Sequence, residues 1–176
     1  MKPHLVPLVI SFLFFANCTA DPEAARTKAG DDASAPVIHA SEVQTTDHII
    51  LPPEAIEWGQ GPPSMEPGAE AALIEGDPSQ PGFFNLRLRM PDGYRIAPHT
   101  HPQQERVTVI SGTFLLGEGD HVDDSAMHAL QPGSYFSMPP GMSHFARTQG
   151  ETVIQLTSMG PWSIEYVNPE DDPRLR

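Results

Sequence analysis

His99, His101, Glu105 and His144 are the residues of this chain whose types and spacing point most directly to chemistry. Imidazole and carboxylate are the donors that hold first-row transition metals, so the set predicts a metal site. The first three stand in Gly93-Tyr-Arg-Ile-Ala-Pro-His99-Thr-His101-Pro-Gln-Gln-Glu105, a run that closes at Gly112. The fourth ends Gly133-Ser-Tyr-Phe-Ser-Met-Pro139-Pro-Gly141-Met-Ser-His144. Four ligands of mixed nitrogen and oxygen type leave one or two positions open on an octahedral ion, which suits Fe or Mn first. Zn binds more tightly by the Irving–Williams order, and Ni or Cu also accept such donors, so metal identity stays open.

The elements that position these residues read as β-strands. Side chains two apart on an extended strand face the same way, so His99 and His101 project to one side. Glu105, Val107 and Val109 share that parity, although Pro102-Gln-Gln bends the chain between them. Such a face turns from ligands to hydrophobic wall. The turn Pro139-Pro-Gly-Met-Ser carries His144 back over the first pair. Gly112 and Gly141 fall where the chain must reverse, and glycine tolerates the positive φ that such corners need.

From Ile49 onward, short apolar or alternating segments follow one another, bounded by Gly, Pro or Asp. They are Glu70–Glu75, Phe83–Met90, Arg106–Leu116, Ser134–Met138, His144–Arg147, Thr152–Thr157 and Trp162–Val167. Phe84, Leu86, Leu88 and Met90 form one face of the second, with Asn85, Arg87 and Arg89 on the other. Many short strands with no sustained helical period predict an all-β sandwich or barrel.

At this point the two motifs resemble those of the cupin superfamily. The first matches glycine, five residues, His-x-His, three residues, Glu, six residues, glycine. The second matches glycine, five residues, Pro-x-Gly, two residues, His. Residues 93–148 carry the resemblance, and one position departs from it: Thr148 stands where the second motif usually ends in Asn. The resemblance implies a cupin-type double-stranded β-helix, a jelly-roll barrel. It also implies a divalent metal held by His99, His101, Glu105 and His144 inside the barrel mouth. Cupin-like barrels often pair through edge strands, so a homodimer is a further expectation.

The whole chain bounds the rest. Its 176 residues support one folded domain. A formal charge of −13 repels phosphate backbones, so nucleic acid is not an expected partner. Met1-Lys-Pro-His is weakly basic, Leu5 to Ala16 is almost wholly apolar, and Asn17-Cys18-Thr19-Ala20 supplies small residues before Asp21. This is the pattern of an export signal, too short to span a bilayer as a mature helix. Cleavage after Ala20 releases a soluble protein into the periplasm or outside the cell. Alternatively, Phe15-Ala16-Asn17-Cys18 resembles a lipoprotein box, in which case a lipid anchor on Cys18 holds the protein at a membrane. Residues 21–47 are rich in Ala, Asp, Thr and Ser without hydrophobic period and read as a flexible linker of roughly 30 Å mean reach. The cupin domain is then 48–176, after a signal peptide at 1–20.

Function follows from the metal. Open coordination positions beside a hydrophobic wall permit activation of a substrate oxygen or of dioxygen. The expectation is an exported metal-dependent oxidoreductase of dioxygenase type acting on a small organic molecule. Two alternatives remain: a non-catalytic cupin that binds or senses a small ligand, and a metal-assisted isomerase or hydrolase. No nucleophile elbow, P-loop, dinucleotide turn or Cys-x-x-Cys occurs. Gln155, within the apolar run Val153–Thr157, needs either a protein partner or a ligand. Tyr94, Arg106, Phe136, Met138 and Trp162 are near enough to approach the cavity, with packing or surface exposure the expected role of each. The Asp120–His128 stretch reads as a solvated loop over the barrel mouth, or else as a lid. His39 and His48 have no partner at ligand spacing and read as solvated bystanders.

Overall fold

Alternation in Gly82–Met90 becomes a strand with its apolar face inward. Phe84, Leu86, Leu88 and Met90 are buried, and Asn85, Arg87 and Arg89 between them are half-buried, as a period of two requires. The computed structural model describes residues 48–176; the expected signal peptide, the linker and His39 lie outside the described residues. Nine strands follow in order: β1 (Gly59–Gln60), β2 (Glu70–Gly76), β3 (Gly82–Met90), β4 (Arg95–Thr100), β5 (Glu105–Glu118), β6 (His128–Leu130), β7 (Tyr135–Met138), β8 (His144–Gly160) and β9 (Glu165–Tyr166). Among the described residues the helical structure consists of three-residue 3-10 turns.

Strands β5 and β8 hold the architecture together. They pair antiparallel from Arg106↔Thr157 to Glu118↔His144. The Thr152–Gly160 part of β8 also pairs with β3, which continues through β2 to β1, and the start of β5 pairs with β7. At their other ends β8 pairs with β4, β4 with β9, and β5 with β6. Two sheets therefore share two long strands, each of which bends midway. The bends are at Gly112 (φ +75°) and Gly150 (φ +74°), backbone conformations that L side chains rarely adopt. A Cβ at Gly112 would also collide with the Glu151 carbonyl and the Thr152 side chain.

This geometry explains where the strand boundaries differ from the sequence reading. His144–Arg147 and Thr152–Thr157 read as two strands but form one, because Gly150 bends the chain while its partner bends at Gly112. Trp162–Val167 reads as one strand, yet only Glu165–Tyr166 is extended in the sheet. The preceding backbone is engaged elsewhere: Trp162 N–H donates to the Pro78 carbonyl, and the Ser163 carbonyl accepts from His101. Strand β4, which carries His99, stops at Thr100, one residue short of the His101 that the sequence reading placed on the same strand. It contains Pro98, which lacks an N–H, and its register with β8 shifts between Ile96 and His99. Inward side chains of β3, β5 and β8 (Leu86, Leu88, Val107, Val109, Ile154 and Leu156) form the core.

Candidate metal centre

Local structure brings the four candidate residues to one end of that core. His99 lies near the end of β4 and His101 in the turn after it; Glu105 opens β5 and His144 opens β8. His99 and His144 are cross-strand partners, and Gly141 N–H donates to the His101 carbonyl at 2.9 Å, tying the Pro139–Met142 turn to the first motif. All four side chains are buried, with exposures of 3–6%.

Backbone carbonyls orient the three imidazoles. His99 Nδ1 lies 2.7 Å from the Ala97 oxygen, His101 Nδ1 2.8 Å from the Ser163 oxygen and His144 Nδ1 3.0 Å from the Met142 oxygen. A carbonyl only accepts, so each Nδ1 carries the proton and each Nε2 presents a lone pair when the ring is neutral. The ligating nitrogens of the three rings lie within 4.8 Å of one another. Glu105 closes the group: Oε1 is 3.5 Å from His101 Nε2 and Oε2 is 3.3 Å from His144 Nε2.

Electrostatics divides the histidines. Burial, helped by the neighbouring His144 and His101, pushes His99 well below the usual imidazole range. Burial also lowers His101, against the opposing pull of Glu105 and the Ser163 carbonyl. For His144 burial again acts downward, but Glu105, the Met142 carbonyl and the charge of Glu118 together outweigh it and the net shift is upward. Two neutral imidazoles thus stand beside a His144–Glu105 pair. His101 Nε2 is fully buried without a hydrogen-bond partner, since its lone pair faces a Glu105 carboxylate oxygen that can only accept. A buried polar atom left so is costly, and a metal ion is the partner that would satisfy it together with the other two Nε2 atoms. His99, His101 and His144 are a buried cluster compatible with a metal ion.

One aromatic side chain backs this arrangement. Trp162 stacks on the His101 ring with centroids 4.0 Å apart and planes inclined by 20°, and meets Phe84 edge-on. The segment after β8 therefore holds His101 twice, by the Trp162 stack and by the Ser163 carbonyl. Thr148, the departure from the second motif, has a structural role nearby. Its hydroxyl donates to the Pro91 carbonyl at 2.6 Å and accepts from Tyr94 N–H at 2.9 Å, pinning the Pro91–Tyr94 turn to β8.

The cluster opens into a cavity of about 150 Å³ inside the barrel. Of the residues expected to approach it, Phe136 and Trp162 line it; Tyr94, Arg106 and Met138 do not. Gln155 faces outward and accepts from Arg87 Nε at 3.1 Å. No residue of the Asp120–His128 loop lines this cavity. Val122, Asp124 and Met127 line a second space of about 240 Å³ with Phe145 and Arg147, where Asp124 pairs with Arg147 at 3.3 Å. His48, His121 and His128 are exposed. Pro62, Ser64, Met65 and Pro78 complete the cavity wall and escaped the sequence reading, because they come from irregular segments with no period to read.

Comparison with known proteins places this architecture. Residues 23–165 match the family described as Domain of unknown function (DUF4437). Over 91 residues the chain is 33% identical to germin-like protein subfamily 1 member 7 of Arabidopsis thaliana, covering 47% of this chain and 40% of that protein. The chain thus spans less than half the length of that curated relative. The polyketide cyclase RemF from Streptomyces resistomycificus superimposes with a TM-score of 0.58 at 16% identity, over 72% of this chain and 90% of its own. An RmlC-like cupin from Shewanella frigidimarina NCIMB 400 does so with a TM-score of 0.51 at 18% identity, over 66% and 94%. Likeness at these identities is a likeness of fold.

Proposed function

The chain belongs to the DUF4437 family and has the cupin double-stranded β-helix fold, and on that premise we propose that it is a metal-dependent enzyme. The activity proposed is that of a dioxygenase-type oxidoreductase acting on a small organic molecule. His99, His101, Glu105 and His144 are the proposed ligands, with Fe or Mn as the favoured metal and Zn, Ni or Cu as the others the donors accept. The observation that carries the reading is the buried, unpartnered Nε2 of His101, in a cluster whose three Nδ1 atoms are all held by carbonyls.

When bound, such a metal supplies Lewis-acid polarisation of a substrate oxygen and one-electron redox chemistry. The protein's own contribution is orientation and exclusion of water. The Ala97, Ser163 and Met142 carbonyls hold the imidazole planes, a support that raises ligand basicity and whose loss typically weakens metal binding 10–100-fold. Glu105, within reach of two imidazoles, is the group positioned to take a proton from an incoming hydroxyl. Among the described residues, no Asp, Lys, Arg or Tyr lines the cavity. Proton-shuttling isomerisation or hydrolysis would therefore depend on Glu105 alone, which favours oxidoreduction over that alternative.

Export is part of the proposal, on the strength of the Leu5–Ala16 apolar run, with release after Ala20 or anchoring through Cys18 as its two forms. Pairing into a homodimer is supported by Phe83 and Met159, cross-strand partners that are both exposed on the outer sheet. The decisive measurement combines metal analysis with oxygen consumption. Iron-loaded protein should bind one metal per chain and consume oxygen with a small organic substrate, and His144→Ala should lose both. Full metal content in His144→Ala would refute the ligand assignment. Stoichiometric metal and ligand binding without turnover would leave a binding or sensing protein instead.

A further inference from the structure

The cavity wall is chemically divided. Its inner end carries the three histidines and Glu105; most of the remaining wall is hydrocarbon, including Leu86, Leu88, Ile96, Phe114, Phe136 and Leu156. The strands that build this wall carry cations, but the alternation of strand side chains turns them outward. Arg87, between Leu86 and Leu88, donates to Gln155, and Arg106, beside Glu105, donates to Gln104. Among the described residues no lysine or arginine lines the wall, so beside Glu105 the metal would be the charge that an entering group meets.

Hydroxyl-bearing groups on the wall are equally scarce. Among the described residues, Ser64 and Ser163 are the two on the wall that carry a hydroxyl. The Ser163 hydroxyl approaches Glu165 at 3.5 Å, and its carbonyl accepts from His101. The nearby tyrosine hydroxyls are directed to backbone, Tyr166 to the Ser64 carbonyl and Tyr94 to that of Glu66. A polyhydroxylated molecule would thus leave several hydroxyls stripped of water and unpaired. Volume sets a further limit: an apolar cavity of about 150 Å³ accommodates something the size of a benzene ring.

We infer that this site takes a compact, largely hydrocarbon molecule of about one ring in bulk, which presents a single oxygen to the His–Glu end, and that it excludes polyhydroxylated sugars and sugar phosphates. This rests on the metal-site reading proposed above. Phe136, stacked on Phe114 with centroids 5.7 Å apart, is the residue that sets the width.

The test is a titration of the cobalt(II)-loaded full chain, read by the visible absorption of the metal rather than by activity. Phenol should perturb the spectrum at concentrations of about 10 mM or below. Glucose and glucose 6-phosphate should each need at least about 100-fold more, because every hydroxyl left unpaired on the hydrocarbon wall weakens binding. Either sugar acting within about tenfold of phenol, or a spectrum indifferent to phenol, overturns the inference. Phe136→Ala, with Phe136→Leu as the milder variant, should improve 2-naphthol relative to phenol by about tenfold; an unchanged ratio in both refutes the assigned width. Failure of the chain to bind cobalt, or undiminished binding by His144→Ala, removes the metal reading itself. Sugar binding at an intact cobalt site removes this inference alone.

Discussion

Replacing Thr148 by valine tests whether the departure from the second motif is a structural substitute. Valine keeps the shape of threonine and removes only the hydroxyl. Thr148 is 2% exposed, so no solvent replaces the two hydrogen bonds lost, one to the Pro91 carbonyl and one from Tyr94 N–H. Each such bond contributes about 1 kcal/mol net, and a buried group left bare costs about 1–3 kcal/mol. Neither partner is left bare here, because Tyr94 N–H also reaches the Pro91 carbonyl at 3.3 Å. The expected loss is therefore about 2 kcal/mol, or roughly 6–10 °C in Tm for a domain of this size. Urea unfolding followed by tryptophan fluorescence, supported by calorimetry, measures it. Thr148→Ser keeps both bonds and gives up one buried methyl, so it should cost about 1 kcal/mol or less. Cobalt binding should be nearly unchanged in both, since Thr148 does not touch the histidines. A valine variant within about 0.5 kcal/mol of the parent would refute the hydroxyl's role. If serine proved as harmful as valine, methyl packing would be the cause instead.

Gly117 should resist substitution for a different reason. A Cβ there would run into the ring of Phe145, so Gly117→Ala should destabilise by about 1–3 kcal/mol in the same unfolding assay. Removing the indole in Trp162→Ala takes away the stack on His101 and should weaken cobalt affinity by about tenfold, with Trp162→Phe recovering much of it in a competition titration. Tyr166 carries an alkaline prediction. Burial, then the charges of Asp172 and Glu66, push its phenol up to about 12, above the ordinary value of 10.0. A folded-state pKa raised in this way gives stability that is complete below pH 10 and is lost as pH rises toward 12. Stability against pH should therefore fall less steeply over that window in Tyr166→Phe than in the parent.

The four candidate residues were legible because their donor chemistry is carried by residue type, and because regular offsets of Gly and Pro framed them. The inward face of β3 was legible for a similar reason: alternation is a local property of an extended chain. Strand continuity through Gly150 was not legible. Gln149-Gly-Glu151 reads as a turn, and only pairing with the matching bend at Gly112 makes it a corner within one strand. The exposure of the Asp120–His128 loop was legible in its charge, but the space it lines with Phe145 and Arg147 was not, since an acidic loop looks the same whichever strands it packs beside.

Sequence by itself determined which atoms are available: three imidazoles, one carboxylate, and in β3 alternating side chains that put hydrocarbon on one face and arginine on the other. Tertiary structure alone decided how those atoms meet. Pairing β4 with β8 sets His99 beside His144, and the Met142, Ala97 and Ser163 carbonyls then aim the three Nε2 atoms inward. Closing the barrel leaves Glu105 against two of them and a small space bounded by hydrocarbon. The reason is one of range. Residue type and side-chain parity act over a few positions, whereas convergence, burial and cavity shape depend on strands far apart in the chain coming into register.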